Sequence, residues 1–222
     1  MLRIGGRTRE SALEHSELIR ARYPILHDTV RVIADPLVRN LATVGGNLAH
    51  GDPGNDHPAT MLALGAQVVA LGPGGERVIP IDQFFLGLFT TALQPDEILT
   101  EIRVPTPPPR SGGAYVKLER KVGDYATAAA AAQVTLGPTG VFDRVGLALT
   151  NVGPTPVRSR DAEDALVGKR STDAVIAEAA GRAADASSPT PDRRGSVEYK
   201  RNMARVLAVR ALKQAIQRAG GQ

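Results

Sequence analysis

Cysteine and tryptophan are both absent from the 222 residues of this chain. Without cysteine the chain forms no disulfide and no cysteine-ligated zinc site, and it cannot hold an iron–sulfur cluster by itself. Any metal-cluster chemistry must therefore come from another subunit. Aromatic residues make up only 4% of the chain, so Ala, Val, Leu and Ile must fill its core.

Runs of like charge and long apolar stretches are also missing. The 27 basic and 23 acidic residues are interspersed and give a net charge of +4. The nearest basic cluster, Arg193 and Arg194 with Lys200 and Arg201, lacks the interleaved aromatic residues that stack on bases, so we expect no nucleic-acid partner. No stretch approaches the length of a membrane span, and no apolar signal core follows Met1. We expect a cytoplasmic, soluble protein.

The apolar content, 42%, is sufficient for a folded core. The proline-rich segment 105–113 cannot continue a helix or a sheet ladder. It predicts a linker between a first domain, residues 1–104, and a second domain, residues 114–222.

In the first domain we expect a strand over residues 2–4, a helix over residues 9–22 capped by Thr8, and a second helical segment that begins at Pro24 and stops before Pro36. A helix then leads into a hairpin around residues 72–76, and a strand over 97–104 closes the unit.

The second domain shows three strand patterns, at 114–119, 127–136 and 141–150, followed by helices near 161–167 and 172–184. A C-terminal helix is indicated by apolar residues that recur every three or four positions, which predicts a buried face. That stripe consists of Tyr199, Met203, Val206, Val209, Leu212 and Ile216.

The stretch 42–58, ATVGGNLAHGDPGNDHP, carries the strongest chemical signal. Paired glycines let backbone amides approach an anion closely, and neighbouring hydroxyl and amide side chains can donate to phosphate oxygens. A carboxylate such as Asp56 could accept hydrogen bonds from sugar hydroxyls. The alternatives are a tight structural turn at Gly45 and Gly46, and a helix-capping role for Asp56.

A metal site built from His50, Asp52, Asp56 and His57 is a further alternative, although a helical His-x-x-x-His spacing is absent. Residues 117–127, KLERKVGDYAT, predict a strand end that turns at Gly123 and Asp124. Lys117 and Glu119 would share one face, and Tyr125 could stack on a planar ring. No nucleophile triad, Walker loop or Gly-x-Gly-x-x-Gly turn is present, so we assign no catalytic residue.

Several short motifs occur together in a fixed order. They are TVGGN at 43–47, GDPGND at 51–56, FFLGLFTTAL at 84–93, KVGDYAT at 121–127, LTNV at 149–152 with Thr155-Pro156, and EYKRNM at 198–203. Together they resemble the flavoprotein (medium) subunit of aerobic carbon monoxide dehydrogenase and its molybdenum hydroxylase relatives, of the xanthine dehydrogenase type.

The resemblance implies an α+β fold. It would comprise the second subdomain of a vanillyl-alcohol oxidase/PCMH-type FAD-binding domain, followed by a C-terminal domain of a small antiparallel sheet with helices. Family members carry an upstream subdomain with an Ala-Gly-Gly-type loop that this sequence lacks, so we expect the chain to begin partway through its FAD-binding domain. Whether it binds FAD alone is then open.

The resemblance also implies an oxidoreductase whose FAD passes electrons from iron–sulfur clusters to an acceptor. Its partners would be a large subunit with the molybdenum cofactor and a small iron–sulfur subunit. The alternative is a flavin-free scaffold that docks the same partners. By analogy, the cofactor-binding residues would be Thr43, Gly45, Gly46, Asn47 and His50 at the diphosphate, Asn55 and Asp56 at the sugar, and Leu99, Lys117 and Tyr125 near the rings.

Overall fold

A computed structural model describes residues 1–220 of the chain. Two four-stranded antiparallel sheets form its framework, in the orders β1-β6-β2-β3 and β10-β9-β8-β7. Helices pack on both, which confirms the predicted α+β class. The strands are β1 (Leu2–Gly5), β2 (Gln67–Gly72), β3 (Gly75–Pro80), β4 (Phe85–Gly87), β5 (Thr90–Thr91), β6 (Ile98–Val104), β7 (Ser111–Leu118), β8 (Ala128–Leu136), β9 (Phe142–Thr150) and β10 (Val157–Arg158).

The helices divide between the two halves of the chain. Six short α-helices lie among the first strands, and three more follow β10, including the two longest within residues 1–220. None of those within residues 1–220 is long and apolar enough to cross a bilayer. They are α1 (Glu10–Glu14), α2 (Glu17–Arg22), α3 (Pro24–Arg31), α4 (Pro36–Arg39), α5 (Val44–Ala49), α6 (Asp56–Leu64), α7 (Arg160–Leu166), α8 (Asp173–Asp185) and α9 (Val197–Arg218).

The single helix expected over residues 9–22 is wrong, because α1 and α2 are separate. The Ser16 side chain accepts a hydrogen bond from the Ile19 amide at 3.3 Å and so starts a new helix. Thr8 does not cap α1; Arg9 occupies that position, without a side-chain capping bond in the described chain. The start of α3 at Pro24 agrees with the sequence, since proline is favoured in a first turn.

The predicted linker is too long by three residues. Ser111, Gly112 and Gly113 belong to β7 and pair with β8. The reason is close packing: a Cβ on Gly112 would overlap the carbonyl oxygen of Ala215 in α9. These glycines therefore let a helix approach a strand and do not mark a flexible segment. The division of the chain into two domains remains a prediction.

The C-terminal helix exists, but its buried face differs from the predicted stripe. Leu212 and Ile216 are buried as expected, whereas Tyr199 is 44% exposed and Met203 is only partly buried. The opposing strand β8 offers mainly alanines, so small residues make the closest approach and the larger ones lie at the edges of the contact. The buried residues also include Ala204, Leu207, Ala208, Ala211 and Ala215.

Different helices cover the two faces of the sheet β10-β9-β8-β7. One face packs under α7, α8 and α9 in a cluster of apolar side chains. The other face meets α3 and α6 and belongs to a second cluster, which it shares with the first sheet. Residues of the motif 42–58 lie on this second side.

Candidate functional site

The paired glycines lie within a helix. Gly45 and Gly46 belong to the first turn of α5, and Thr43 is its N-cap, with a side chain that accepts from the Gly46 amide at 3.1 Å. The two glycines therefore do not form the tight turn that was the structural alternative. The amides of Val44 and Gly45 donate to the carbonyls of Thr8 and Gly6, and that of Asn47 to Thr43. These groups already have protein partners.

The two glycines have different roles. Gly45 is buried, and a Cβ there would overlap the backbone of Gly6, so the absence of a side chain lets α5 press against the loop after β1. Gly46 is exposed, and a Cβ there would lie 2.8 Å from Thr43 Oγ1. Of the two glycines, Gly46 is therefore the one that a ligand can reach.

Asn47 follows Gly46 and has an unmatched polar atom. Its Oδ1 is buried and has no hydrogen-bond partner within residues 1–220. Its carbonyl accepts from the Asn55 side-chain nitrogen at 2.8 Å, which connects α5 to the start of α6. Buried acceptors are nearly always paired, so an unmatched one in a motif of this type points to a ligand donor.

Asp56 lies in a buried polar network and caps no helix, since the N-cap of α6 is Asn55. The Tyr115 hydroxyl donates to Asp56 Oδ1 at 2.6 Å, and Lys117 Nζ donates to Oδ2 at 2.9 Å. Burial raises the pKa of Asp56 above its usual value, and the charge of Lys117 opposes that shift. Burial and the neighbouring Asp56 raise the pKa of Tyr115 well above its usual value.

Lys117 itself is almost completely buried, with 2% of its side chain exposed. It also donates to the Val32 carbonyl at 2.8 Å and lies 3.3 Å from Glu119, the first residue after β7, so the two side chains lie on the same side as predicted. Its ammonium therefore balances Asp56 in the interior. A direct approach of Lys117 to a flavin ring remains a prediction.

His50 and Tyr125 are the exposed aromatic groups of the site. The His50 ring lies 5.2 Å from that of Phe89, and its Nε2 lies 4.0 Å from Asp52 Oδ2. His57 instead points into the core, where it meets Glu10. The four residues of the metal hypothesis, His50, Asp52, Asp56 and His57, therefore do not converge on one point.

Tyr125 is 48% exposed and lies against Gly54, where a Cβ would come 3.2 Å from its ring. Partial burial and the charge of Asp52 raise its pKa. The next residue back, Asp124, bonds to Arg194 at 2.9 Å, and this bond lowers the pKa of Asp124 to about 2. The loop that carries Tyr125 is thus anchored by an ion pair while the ring stays accessible.

Leu99 lies one layer behind α5. It is 7% exposed in β6, and its carbonyl touches the position where a Gly6 side chain would be. Sequence reasoning gave no role to Gly6, Glu10 or Tyr115. Of these, only Tyr115 had a visible signal: it stands two residues before Lys117 in a strand, and such residues share a face.

The site fits an FAD in three respects. Gly46 is exposed and has no side chain, so a ligand can approach the backbone at the start of α5, the end of a helix that favours phosphate groups. Asn47 offers an unmatched acceptor for a ligand hydroxyl. Arg9 pairs with Thr43 across an antiparallel bridge and has an exposed side chain, which adds positive charge next to the helix start.

Comparison with known proteins gives the same picture. Residues 1–107 match the family described as the FAD binding domain in molybdopterin dehydrogenase, and residues 113–215 match the CO dehydrogenase flavoprotein C-terminal domain. The chain is 44% identical to the carbon monoxide dehydrogenase medium chain of Hydrogenophaga pseudoflava, over 96% of this chain and 74% of that one. It is 43% identical to the medium chain of Afipia carboxidovorans, over 97% and 75% of the two.

The solved structure of carbon monoxide dehydrogenase from Hydrogenophaga pseudoflava superposes with a TM-score of 0.94 at 45% identity, over 97% of this chain and 75% of that chain. The resemblance inferred from the motifs is confirmed, and so is the assignment to the oxidoreductases. The chain belongs to the carbon monoxide dehydrogenase medium chain family, the FAD-binding flavoproteins of the molybdenum hydroxylases.

Proposed function

We propose that this chain binds FAD along α5 and the start of α6 and passes electrons from iron–sulfur clusters to an external acceptor. The partners are a molybdenum-containing large subunit, where substrate is oxidised, and an iron–sulfur small subunit. Bound FAD supplies the redox chemistry, and the protein positions and tunes it. We expect this complex to be cytoplasmic, which remains a prediction.

Each proposed binding residue has a task that its position supports. Thr43, Gly46 and Asn47 would line the diphosphate, with Asn47 Oδ1 accepting from a hydroxyl of the adjoining sugar chain and His50 at the exposed end of α5. Gly45 acts through its packing on Gly6. In the second half of the site, Asn55 and Asp56 would face the sugar, Lys117 would balance the charge of Asp56, and Tyr125 would cover a ring face. Leu99 would support the site from behind.

The single observation that carries the proposal is the buried, unmatched Oδ1 of Asn47 beside the exposed Gly46. The test uses the chain purified with its partner subunits. Asn47→Leu keeps the size of the side chain and removes the acceptor, so we expect it to lose most of the visible flavin absorbance. Asn202→Leu, on the surface of α9, should retain it.

Absence of flavin from the wild-type complex would overturn the proposal, and so would an Asn47→Leu complex with full flavin content. The flavin-free scaffold is the second candidate. It is favoured by the protein partners that the first-turn amides of α5 already have. A pull-down of both partner subunits under flavin-free conditions, with no flavin uptake afterwards, would support it.

A further inference from the structure

Glu10 and His57 form a polar pair inside the core. Each residue is completely buried, and a hydrogen bond joins His57 Nε2 and Glu10 Oε2, which lie 2.7 Å apart. Glu10 is the first residue of α1 and His57 is the second of α6, so the pair joins segments that lie 47 residues apart. None of the flavin contacts proposed above uses either side chain.

Stability alone does not explain this pair, because it leaves buried polar atoms without partners. Glu10 Oε1 and His57 Nδ1 are buried and have no partner within residues 1–220. Two apolar side chains of similar size would pack at such a position without leaving polar atoms unpaired. What the pair does provide is a directional bond, which fixes one separation between α1 and α6.

Both ends of the pair lead to the cofactor site. The Glu10 amide donates to the carbonyl of Ala42 at 3.1 Å, directly before Thr43, and the Val44 amide donates back to Thr8 at 2.9 Å. At the other end, His57 follows Asp56 in the first turn of α6. The Glu10–His57 pair thus connects the Thr43 end of the site to the Asp56 end.

We propose that Glu10, through His57, is a positioning residue that sets the spacing between the diphosphate half and the sugar half of the FAD site. This inference rests on the proposed function. A second connection, from Asn55 to the carbonyl of Asn47, spans the same two segments at the surface. The buried pair holds the same two segments together on the core side. A cofactor that contacts both halves therefore finds them already at the required distance.

The test compares variants of the chain in its complex with the partner subunits, with FAD as the probe. The Glu10→Leu/His57→Leu variant replaces the bond by apolar packing. We expect its melting temperature to stay near that of the wild type, and its dissociation constant for FAD to rise about tenfold because the two halves are no longer held in register. The visible circular dichroism of the bound flavin should change with it.

Glu10→Gln keeps a hydrogen bond to His57, so it should retain the wild-type dichroism and most of the affinity for FAD. The matched control is Thr60→Val, which removes a buried hydroxyl pair between Thr29 and Thr60, 2.7 Å apart, on the same helix α6. It should lower the melting temperature without changing FAD affinity.

Wild-type affinity and dichroism in the Glu10→Leu/His57→Leu variant would overturn the positioning role alone. An equal loss of FAD affinity in Thr60→Val would also overturn it, because the effect would then follow stability. A wild-type complex that binds no FAD would instead overturn the proposed function on which it rests.

Discussion

The two faces of the sheet β10-β9-β8-β7 are built differently although they share the same strands. Under α9 the strand residues are Ala, Val and Leu, and they contact a helix face rich in alanine. On the opposite face the alternate residues of β7 are Tyr115 and Lys117, which pair with Asp56 of α6. Because strand residues alternate between faces, one strand can supply both a dry core and a polar site.

The two faces therefore contribute differently: one stabilises the fold by packing, and the other is the face on which we propose that the ligand binds. The alanine face gains mainly from close packing, and its helices also bury two charged residues, Glu163 and Lys200, which pair with Arg158 and Asp192. The polar face contains buried charges, whose desolvation is costly unless they are paired. A binding site can make use of such fixed charges, and we propose that the FAD site on this face does so.

The largest expected effect comes from breaking the charge pair of the polar face. Asp56→Ala removes the nearer carboxylate of the buried Lys117 ammonium and leaves Glu119, 3.3 Å away, as its remaining carboxylate partner. The free energy of unfolding should therefore fall by about 3–5 kcal/mol in urea titrations. The Asp56→Leu/Lys117→Met variant removes both charges and should regain most of that stability, yet bind FAD poorly. If this double variant bound FAD at wild-type affinity, the Asp56–Lys117 pair would not be part of the FAD site.

Close packing on the two faces gives the next contrast. Gly112→Ala would drive a Cβ into Ala215 of α9, and Gly146→Ala would drive one into Ala63 of α6. Each should cost about 1–3 kcal/mol of unfolding free energy, measured by chemical denaturation. Only Gly146→Ala should also weaken FAD binding, because α6 begins at Asp56. Equal FAD affinity in both variants would show that the faces are not functionally distinct.

The smallest effect concerns exposed tyrosines. Tyr125→Ala and Tyr199→Ala remove side chains of similar exposure, 48% and 44%, so each should change stability by less than about 0.5 kcal/mol. Tyr125→Ala should weaken FAD binding by about 0.5–1.5 kcal/mol through loss of a ring contact, in a flavin fluorescence titration. Tyr199→Ala should leave it unchanged. The reverse order would place the flavin elsewhere.

Sequence patterns predicted the dry face well. The strands β7, β8 and β9 and the helices α7, α8 and α9 follow local periodicity and capping, which a chain segment displays by itself. Even there the predicted buried face of α9 was partly wrong. Whether Tyr199 or Ala204 is buried depends on the small residues of a strand that is distant in sequence. Burial is a property of both partners in a contact.

The polar face was predictable in its residues and not in its geometry. The motif 42–58 lies on this side of the sheet, but Gly45 and Gly46 are in a helix, because Thr43 caps it and Gly6 packs against it. The partners of Asp56 and His57, which are Tyr115, Lys117 and Glu10, lie 47 to 61 residues away along the chain. No local pattern encodes such pairings, and only the fold brings them together.

Hydrogen–deuterium exchange of the wild-type complex, with FAD bound and after its removal, tests most directly whether the polar face is the cofactor site. We predict that FAD slows exchange of amides in residues 43–56 and 119–127 and leaves α9 unchanged. Exchange in those two segments that is the same with and without FAD, or protection confined to α8 and α9, would contradict the account.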